Sequence, residues 1–333
     1  MPSSSGACDS DSPQRGWCGV DLQSGHSRTF PPRLRSQLVW RMFMATLRSF
    51  AQLLTPRIIV EGYRWARAPA AYRQQAEIRR VARQPRFVPT TLQLAGRALS
   101  VTDGPSAANV AMQIFGPRQV LRFDAGKTAP VIFDCGANVG ITVMFWKWLY
   151  PQSRVIAFEP DPDAFACLRR NCGTYPDVQL EEVAVWIADQ RVAFACDGAD
   201  GGRLEIFKGR VSTNRIATVS AIRLKDRLIE PVDLLKMDIE GAEVDVLLDC
   251  RDRLHMVQRL FVEYHSFDGQ AQRLDELLSL LRDSGMRICL DTSEHPCQRP
   301  FVTRHLLNGK DMHVNIFATR EPSAASLRHV AIS

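Results

Sequence analysis

In VIFDCGANVG, Val131 to Gly140, a carboxylate and two glycines follow directly on an apolar run. Glycine lets a ligand approach the backbone in the first strand-to-helix turn of an α/β sheet, and Asp134 stands at the strand's end, within reach of the crevice. A phosphate-binding turn uses the helix N-terminus and gains nothing from a carboxylate beside the anion. Asp134 therefore points to a cationic or hydroxylated ligand. Beyond Gly140, Glu159 closes the next apolar run, RVIAFEP. A carboxylate there accepts hydrogen bonds from both ribose hydroxyls of a nucleoside. A nucleoside with a sulfonium and no phosphate suits both ends, so the expected ligand is S-adenosylmethionine.

A second group of reactive side chains lies further along. KMDIEGAE puts Asp238 and Glu240 at or beyond the end of a strand, with Gly241 at the turn and Glu243 in the first turn of a helix, where a carboxylate favours the dipole. In VEYHS, strand alternation sends Glu263 and His265 to one face, near the carboxyl end. Asp238 and His265 are expected at the reacting centre, one orienting an acceptor hydroxyl and the other drawing off its proton, with Glu240 and Glu263 beside them. His265 also reads as a histidine satisfied within a polar network. The four side chains would suit a metal, but no tight ligand spacing supports one, and none is expected.

Positioning these residues requires strands and helices in alternation. After Pro130 they recur: VIFDC, then a helix from about Val139 to Leu149; RVIAFEP, then a helix from about Asp163 to Cys172; VQLEEVAV; DLLKMDI with a helix after it; RLFVEYHS, then the helix QRLDELLSLLRDSG; and RICLDTS and HVNIFATR as closing strands. Near-continuous apolar strands separated by helices predict a doubly wound, mostly parallel, seven-stranded Rossmann-like α/β sheet covered on both faces, with an N-terminal helical extension. Trp186 to Pro231 is too long for a plain βα connection and predicts a small antiparallel insertion or a loop over the site.

The 333 residues suffice for one large core or two smaller ones, and a 45% hydrophobic share is ordinary for a globular chain. Residues 1 to 129 carry 18 Lys+Arg against 7 Asp+Glu, and the remainder 24 against 29, so the overall +6 is an N-terminal property. The arginines are not interleaved with aromatics as in a single-strand-binding groove, and no nucleic-acid partner is expected. Nine cysteines form no CxxC pair, and Cys135, Cys167, Cys172, Cys250 and Cys289 fall in predicted elements, which favours a reducing compartment and a cytoplasmic location. The most apolar stretch, Gln37 to Leu54, carries Arg41 and Arg48 and reads as an amphipathic helix, short of the roughly 18 uninterrupted apolar residues of a membrane span. The first 35 residues have a disorder-like composition and lack the apolar core of a signal peptide.

FDCGANVGITV, VIAFEPDPDAFACLRRN, LLKMDIEGAEVDVLL and RLFVEYHS, in this order and spacing, resemble the FkbM-type methyltransferases, a branch of the class I S-adenosylmethionine-dependent enzymes. The resemblance covers about Pro130 to Asp291, and KMDIEGAE is its most specific block. It implies that Asp134, Gly136, Asn138 and Gly140 surround the methionine portion and sulfonium, with Glu159 on the ribose. Ala184 would meet the adenine edge, a role Glu181 or Glu182 nearby would also fit. It implies O-methylation of a hydroxyl on a small metabolite, glycan or polyketide-like acceptor. The expected organisation is then a disordered N-terminus (1–35), an Arg-rich helical and β extension (36–129), the methyltransferase domain (130–320, insertion 186–231) and a C-terminal tail (321–333).

Two other classes were weighed. A nicotinamide-dependent oxidoreductase wants GxGxxG where this chain has CGANVG, with Asp134 where a pyrophosphate would be repelled. A non-catalytic S-adenosylmethionine-binding protein would tolerate loss of the acidic cluster, which this chain retains.

Overall fold

In the computed structural model the described residues are 69–204, 215–292, 301–303 and 306–320. The chain divides into two units, Met1–Tyr63 and Arg64–Ser333, and every described residue belongs to the second. The expected helix over Gln37 to Leu54, the N-terminal 1–35 segment and the 321–333 tail lie outside the described residues.

Seven strands form the central sheet: β3 (Val131–Cys135), β4 (Arg154–Phe158), β5 (Val178–Glu181), β10 (Leu234–Met237), β11 (Arg259–Phe267), β12 (Arg287–Asp291) and β13 (Lys310–Thr319). Their order is β12-β13-β11-β10-β3-β4-β5, so the chain reverses direction across the sheet between β3 and β10. The pairs from β5 through β11 are parallel, and β13 runs antiparallel between β11 and β12. Ligand crevices open at such a reversal, outside the carboxyl ends of the strands.

Strand alternation builds two cores. Ile132, Val155, Ala157, Leu234 and Phe261 face one layer, made by α1 (Pro69–Val81), the hairpin of β1 (Thr90–Leu94) and β2 (Arg97–Val101), α2 (Gly104–Phe115), α3 (Ile141–Leu149) and α4 (Pro162–Cys172). Phe133, Cys135, Ile156, Phe158, Leu235, Met237 and Val262 face the other, with α5 (Glu243–Asp249) and α6 (Leu274–Asp283). The segment before Pro130 thus shares a core with the sheet from residue 78 onward.

The helices start where their chemistry dictates. Asp103 accepts the Ser106 N–H at the start of α2, and Asp161 accepts from Asp163 and Ala164, ahead of Pro162, at the start of α4. α3 begins at Ile141 rather than near Val139, because Asn138 (φ +47°) and Gly140 (φ +90°) hold the preceding turn in the left-handed region.

The third expected strand, VQLEEVAV, is two. Only β5 joins the main sheet, while β6 (Ala184–Trp186) pairs in parallel with β9 (Arg215–Arg223) in a separate four-stranded sheet, ordered β6-β9-β7-β8. With β7 (Gln190–Cys196) and β8 (Arg203–Leu204) antiparallel, the described residues of the 186–231 insertion form a small antiparallel sheet joined in parallel to β6. Cys135, Cys167, Cys172, Cys196 and Cys250 are buried free thiols and Cys289 is an exposed one. Among the described residues no helix is long and apolar enough to cross a membrane.

Gly136 and Gly269 both sit at φ +82°, but a Cβ on Gly136 would lie 1.8 Å from the Asp238 carbonyl oxygen, whereas one on Gly269 meets nothing within 4 Å. Gly269→Ala is expected to cost about 1–2 kcal/mol from backbone strain alone. Gly136→Ala is expected to cost at least about 3 kcal/mol, strain plus overpacking. Urea denaturation of the two variants checks the difference; equal losses would mean the β3–β10 approach is not tight.

Candidate functional site

The centre of the site is a buried ammonium. Lys236 and Asp134 are register partners on β10 and β3, so their side chains emerge on the same face. The Lys236 Nζ donates to the Gly136 carbonyl at 2.8 Å and lies 3.3 Å from both Asp134 Oδ1 and Asp238 Oδ2. Burial alone would lower this ammonium's pKa, but Asp134, Asp238 and Glu263 outweigh it and raise it. Asp134 is wholly buried and also accepts the Thr142 hydroxyl; burial pushes its carboxyl up against the pull of Lys236.

A cavity opens over the carboxyl ends of β3, β4, β10 and β11. Its lining includes Gly136, Asn138, Glu159 and Ala184 together with Asp238, Glu240 and Glu263. Thr102 and Ser106 of the α2 entrance and Asp197, Ala199 and Asp200 of the insertion complete the wall. The insertion is tied down over the turn, with Asn138 Nδ2 donating to the Ala199 carbonyl and the Ser106 hydroxyl to Asp200, both at 2.9 Å.

Glu159 is 6% exposed and accepts two backbone N–H groups, from Asn138 at 2.8 Å and from Asp161 at 2.9 Å. Burial pushes its carboxyl up to about 8 in spite of them. A carboxylate offers about four acceptor positions, so two remain for a cavity ligand.

Glu240 (φ +58°) pairs with Lys310 at 2.6 Å. Burial and the neighbouring Glu263 hold Asp238 above the usual carboxylate range. Burial would raise Glu263 as well, but the His265 and His313 imidazoles beside it hold it well below the usual carboxylate range. The His265 Nδ1 lies 3.1 Å from Glu243 Oε1, and its Nε2 lies 3.4 Å from Glu263 and 3.8 Å from Glu240. Burial opposes charge on this ring, yet Glu240 and Glu243 push it up to about 10.

The Methyltransferase FkbM domain family matches residues 134–288. The 2-O-methyltransferase NoeI of Sinorhizobium fredii is 31% identical over 176 residues, covering 46% of this chain and 72% of NoeI. The chain belongs to the FkbM methyltransferase family. The 31-O-demethyl-FK506 methyltransferase FkbM of Streptomyces tacrolimicus is 28% identical, covering 58% of this chain and 86% of its own length. Among solved structures, the methyltransferase FkbM from Methylobacillus flagellatus is 15% identical with a TM-score of 0.40, covering 76% of this chain and 60% of that one.

Against this family's expected site, Gly136, Asn138, Glu159, Ala184, Asp238, Glu240 and Glu263 share one cavity. Three expected residues stand behind it. Asp134 is sealed under Lys236 and Thr142. Gly140 faces α4, where a Cβ would meet Cys172 Sγ and Leu168 Cδ1 at 2.7 Å, so it serves helix packing. The His265 side chain is wholly enclosed behind Glu240 and Glu263. Glu243 is buried and turns back to accept the Ile239 and Gly241 N–H groups as well as meeting His265.

Sequence reasoning missed Lys236 as the central cation, and it missed Lys310 and His313. The signal for His313 is strand register: it sits directly opposite His265 in the β11–β13 pair, and the rings stack with centroids 5.1 Å apart.

Lys236→Met strips the buried Asp134 and the half-buried Asp238 of their cation. It is expected to destabilise the fold by about 3–5 kcal/mol, the usual cost of breaking a buried pair from one side. Chemical denaturation checks this, and a loss below about 1 kcal/mol would remove the ammonium from its central role.

Proposed function

We propose that this methyltransferase moves a methyl group from S-adenosylmethionine to a hydroxyl of a small metabolite, glycan or polyketide-like acceptor. The observation that carries the reading is that Glu159 and the Gly136–Asn138 turn line the same cavity as Asp238 and Glu263. Glu159 suits a ribose diol: it is buried and fixed by two backbone N–H groups, with acceptor positions to spare. The glycine turn admits close backbone approach, and the carboxylates beside it supply the negative field a sulfonium prefers. When bound, the cofactor supplies an activated methyl group.

The chain's own work is to orient, to keep water out and to take one proton. Orientation comes from a turn locked to β10 by Lys236 and to the insertion by Asn138. The insertion and the α2 entrance wall the cavity and are assigned acceptor selection. Sequence reasoning gave proton removal to His265. The reading favoured by the geometry gives it to Asp238, with Glu263 beside it, because both carboxylates line the cavity whereas the His265 ring does not. His265 then becomes a positioning residue. The names of two relatives, the 2-O-methyltransferase NoeI and the 31-O-demethyl-FK506 methyltransferase, support a hydroxyl acceptor. A non-catalytic S-adenosylmethionine-binding role remains the second reading, favoured only if no acceptor is ever methylated.

Ribose hydroxyls donate to an ionised carboxylate, so binding requires Glu159 to lose its proton. With its carboxyl at about 8 in the free protein, the association constant for S-adenosylmethionine should rise by up to about tenfold per pH unit below that value and level off above it. Calorimetry across this range checks the sign. Glu159→Gln should flatten the profile, and Glu159→Ala should weaken binding by about 2–3 kcal/mol. A flat wild-type profile with unchanged affinity in both variants would remove Glu159 from the ribose.

Asp238→Asn should keep S-adenosylmethionine affinity within a few-fold and lower turnover by about 10²–10⁴, the range of general-base assistance. Labelled S-adenosylmethionine incubated with extracts of the source cells identifies the acceptor on which this is measured. Undiminished turnover in the variant would show that another group takes the proton.

A further inference from the structure

The polar cluster behind the cavity wall is unbalanced. Asp134, Asp238, Glu240, Glu243 and Glu263, five carboxylates, gather around two ammoniums, Lys236 and Lys310. The ammoniums are committed elsewhere: Lys236 lies on Asp134 and Asp238, and Lys310 holds Glu240. Glu263 is left with two imidazoles, its Oε1 lying 2.8 Å from His313 Nε2 and 3.4 Å from His265 Nε2.

The orientation of His265 is the telling feature. Its Nδ1 faces Glu243 Oε1 at 3.1 Å, and a carboxylate can only accept, so Nδ1 carries a proton. Nε2 is turned toward the cluster. It is buried, has no hydrogen-bond partner among the described residues, and faces carboxylate oxygens at 3.4 and 3.8 Å. A nitrogen held among carboxylate oxygens calls for a cation: a proton in the metal-free protein, and a metal ion where one displaces it. A carboxylate fixing the far side of an imidazole is also the usual support for a metal-ligating histidine.

We propose that Glu263, His265 Nε2 and His313 Nε2 form a site for a transition-metal dication of the zinc class. The three ligand atoms lie within 4.8 Å of one another. A tetrahedral ion with bonds of about 2.1 Å holds its ligands roughly 3.4 Å apart, so the observed 2.8 and 3.4 Å need only a small opening. Two imidazoles and a carboxylate select this class over magnesium or calcium, which prefer oxygen. The antiparallel register that sets His313 opposite His265 presents both rings from adjacent strands. Glu263, which lines the cavity, is the ligand through which the ion would face an acceptor. Its role there, polarising the acceptor hydroxyl as a Lewis acid, rests on the methyl-transfer reading; the existence of the site does not.

The test uses the full chain, freed of metal with chelator and titrated with Co²⁺. One equivalent should produce visible d–d absorption without a thiolate charge-transfer band. His313→Ala and Glu263→Gln should abolish it, and Glu243→Gln, which leaves the ligands intact, should weaken Co²⁺ binding by about 10- to 100-fold. Glu159→Gln should leave the spectrum unchanged. Melting followed by circular dichroism certifies that each variant is folded; where His313→Ala fails this, His313→Asn replaces it. Absence of d–d bands, or bands that survive in both folded ligand variants, overturns the site. Calorimetry with S-adenosylmethionine on the same samples separates the two readings: cofactor binding without Co²⁺ bands sinks the metal site alone. Co²⁺ bands without cofactor binding sink the methyl-transfer reading and leave the site standing.

Discussion

Everything at the mouth of the central sheet hangs on the Lys236 ammonium. It is placed where β3 and β10 meet, the point at which the chain reverses direction across the sheet, and it joins a turn carbonyl to two carboxylates from different strands. A buried cation needs such partners, because desolvation without them costs more than any single contact returns. The arrangement also fixes Gly136 against the Asp238 carbonyl, so the two turns that face the cavity cannot move independently. One positive charge therefore sets the relative positions of the two halves of the site.

Around that centre the burial of acidic groups is graded. Glu159 and Asp238 border the cavity and are pushed toward their neutral forms, whereas Glu263, flanked by two imidazoles, is held strongly ionised. Similar side chains around one cavity thus carry different proton affinities, because their neighbours differ in sign and number. The insertion reaches this region through hydrogen bonds, from Asn138 to the Ala199 carbonyl and from the Ser106 hydroxyl to Asp200, which link it to the cavity.

The sheet was legible because its strands are continuous apolar runs and its helices carry clear starts, such as Asp161 before Pro162. The split of VQLEEVAV was not, since no glycine or proline marks the point where the chain leaves one sheet for another. Glu159 stands at a motif position that any reader of the spacing would pick. Asp134 shows the limit of that method: a carboxylate at a strand end reads the same whether it meets a ligand or a lysine about a hundred residues further along the chain. Gly140 likewise reads as a ligand-facing glycine until the proximity of Cys172 and Leu168 is known. His313 and Lys310 come from a strand whose pairing partner no local pattern reveals.

The position of β13 has a kinetic consequence. It lies between β11 and β12 although it follows both in the chain, and β12 reaches the sheet through it. Pairings across many residues pay loop closure before they gain any contact energy. His313 and Lys310 travel with that strand. During synthesis they emerge after every carboxylate of the cluster, so the polar centre is complete only once β13 has been made and has docked on β11.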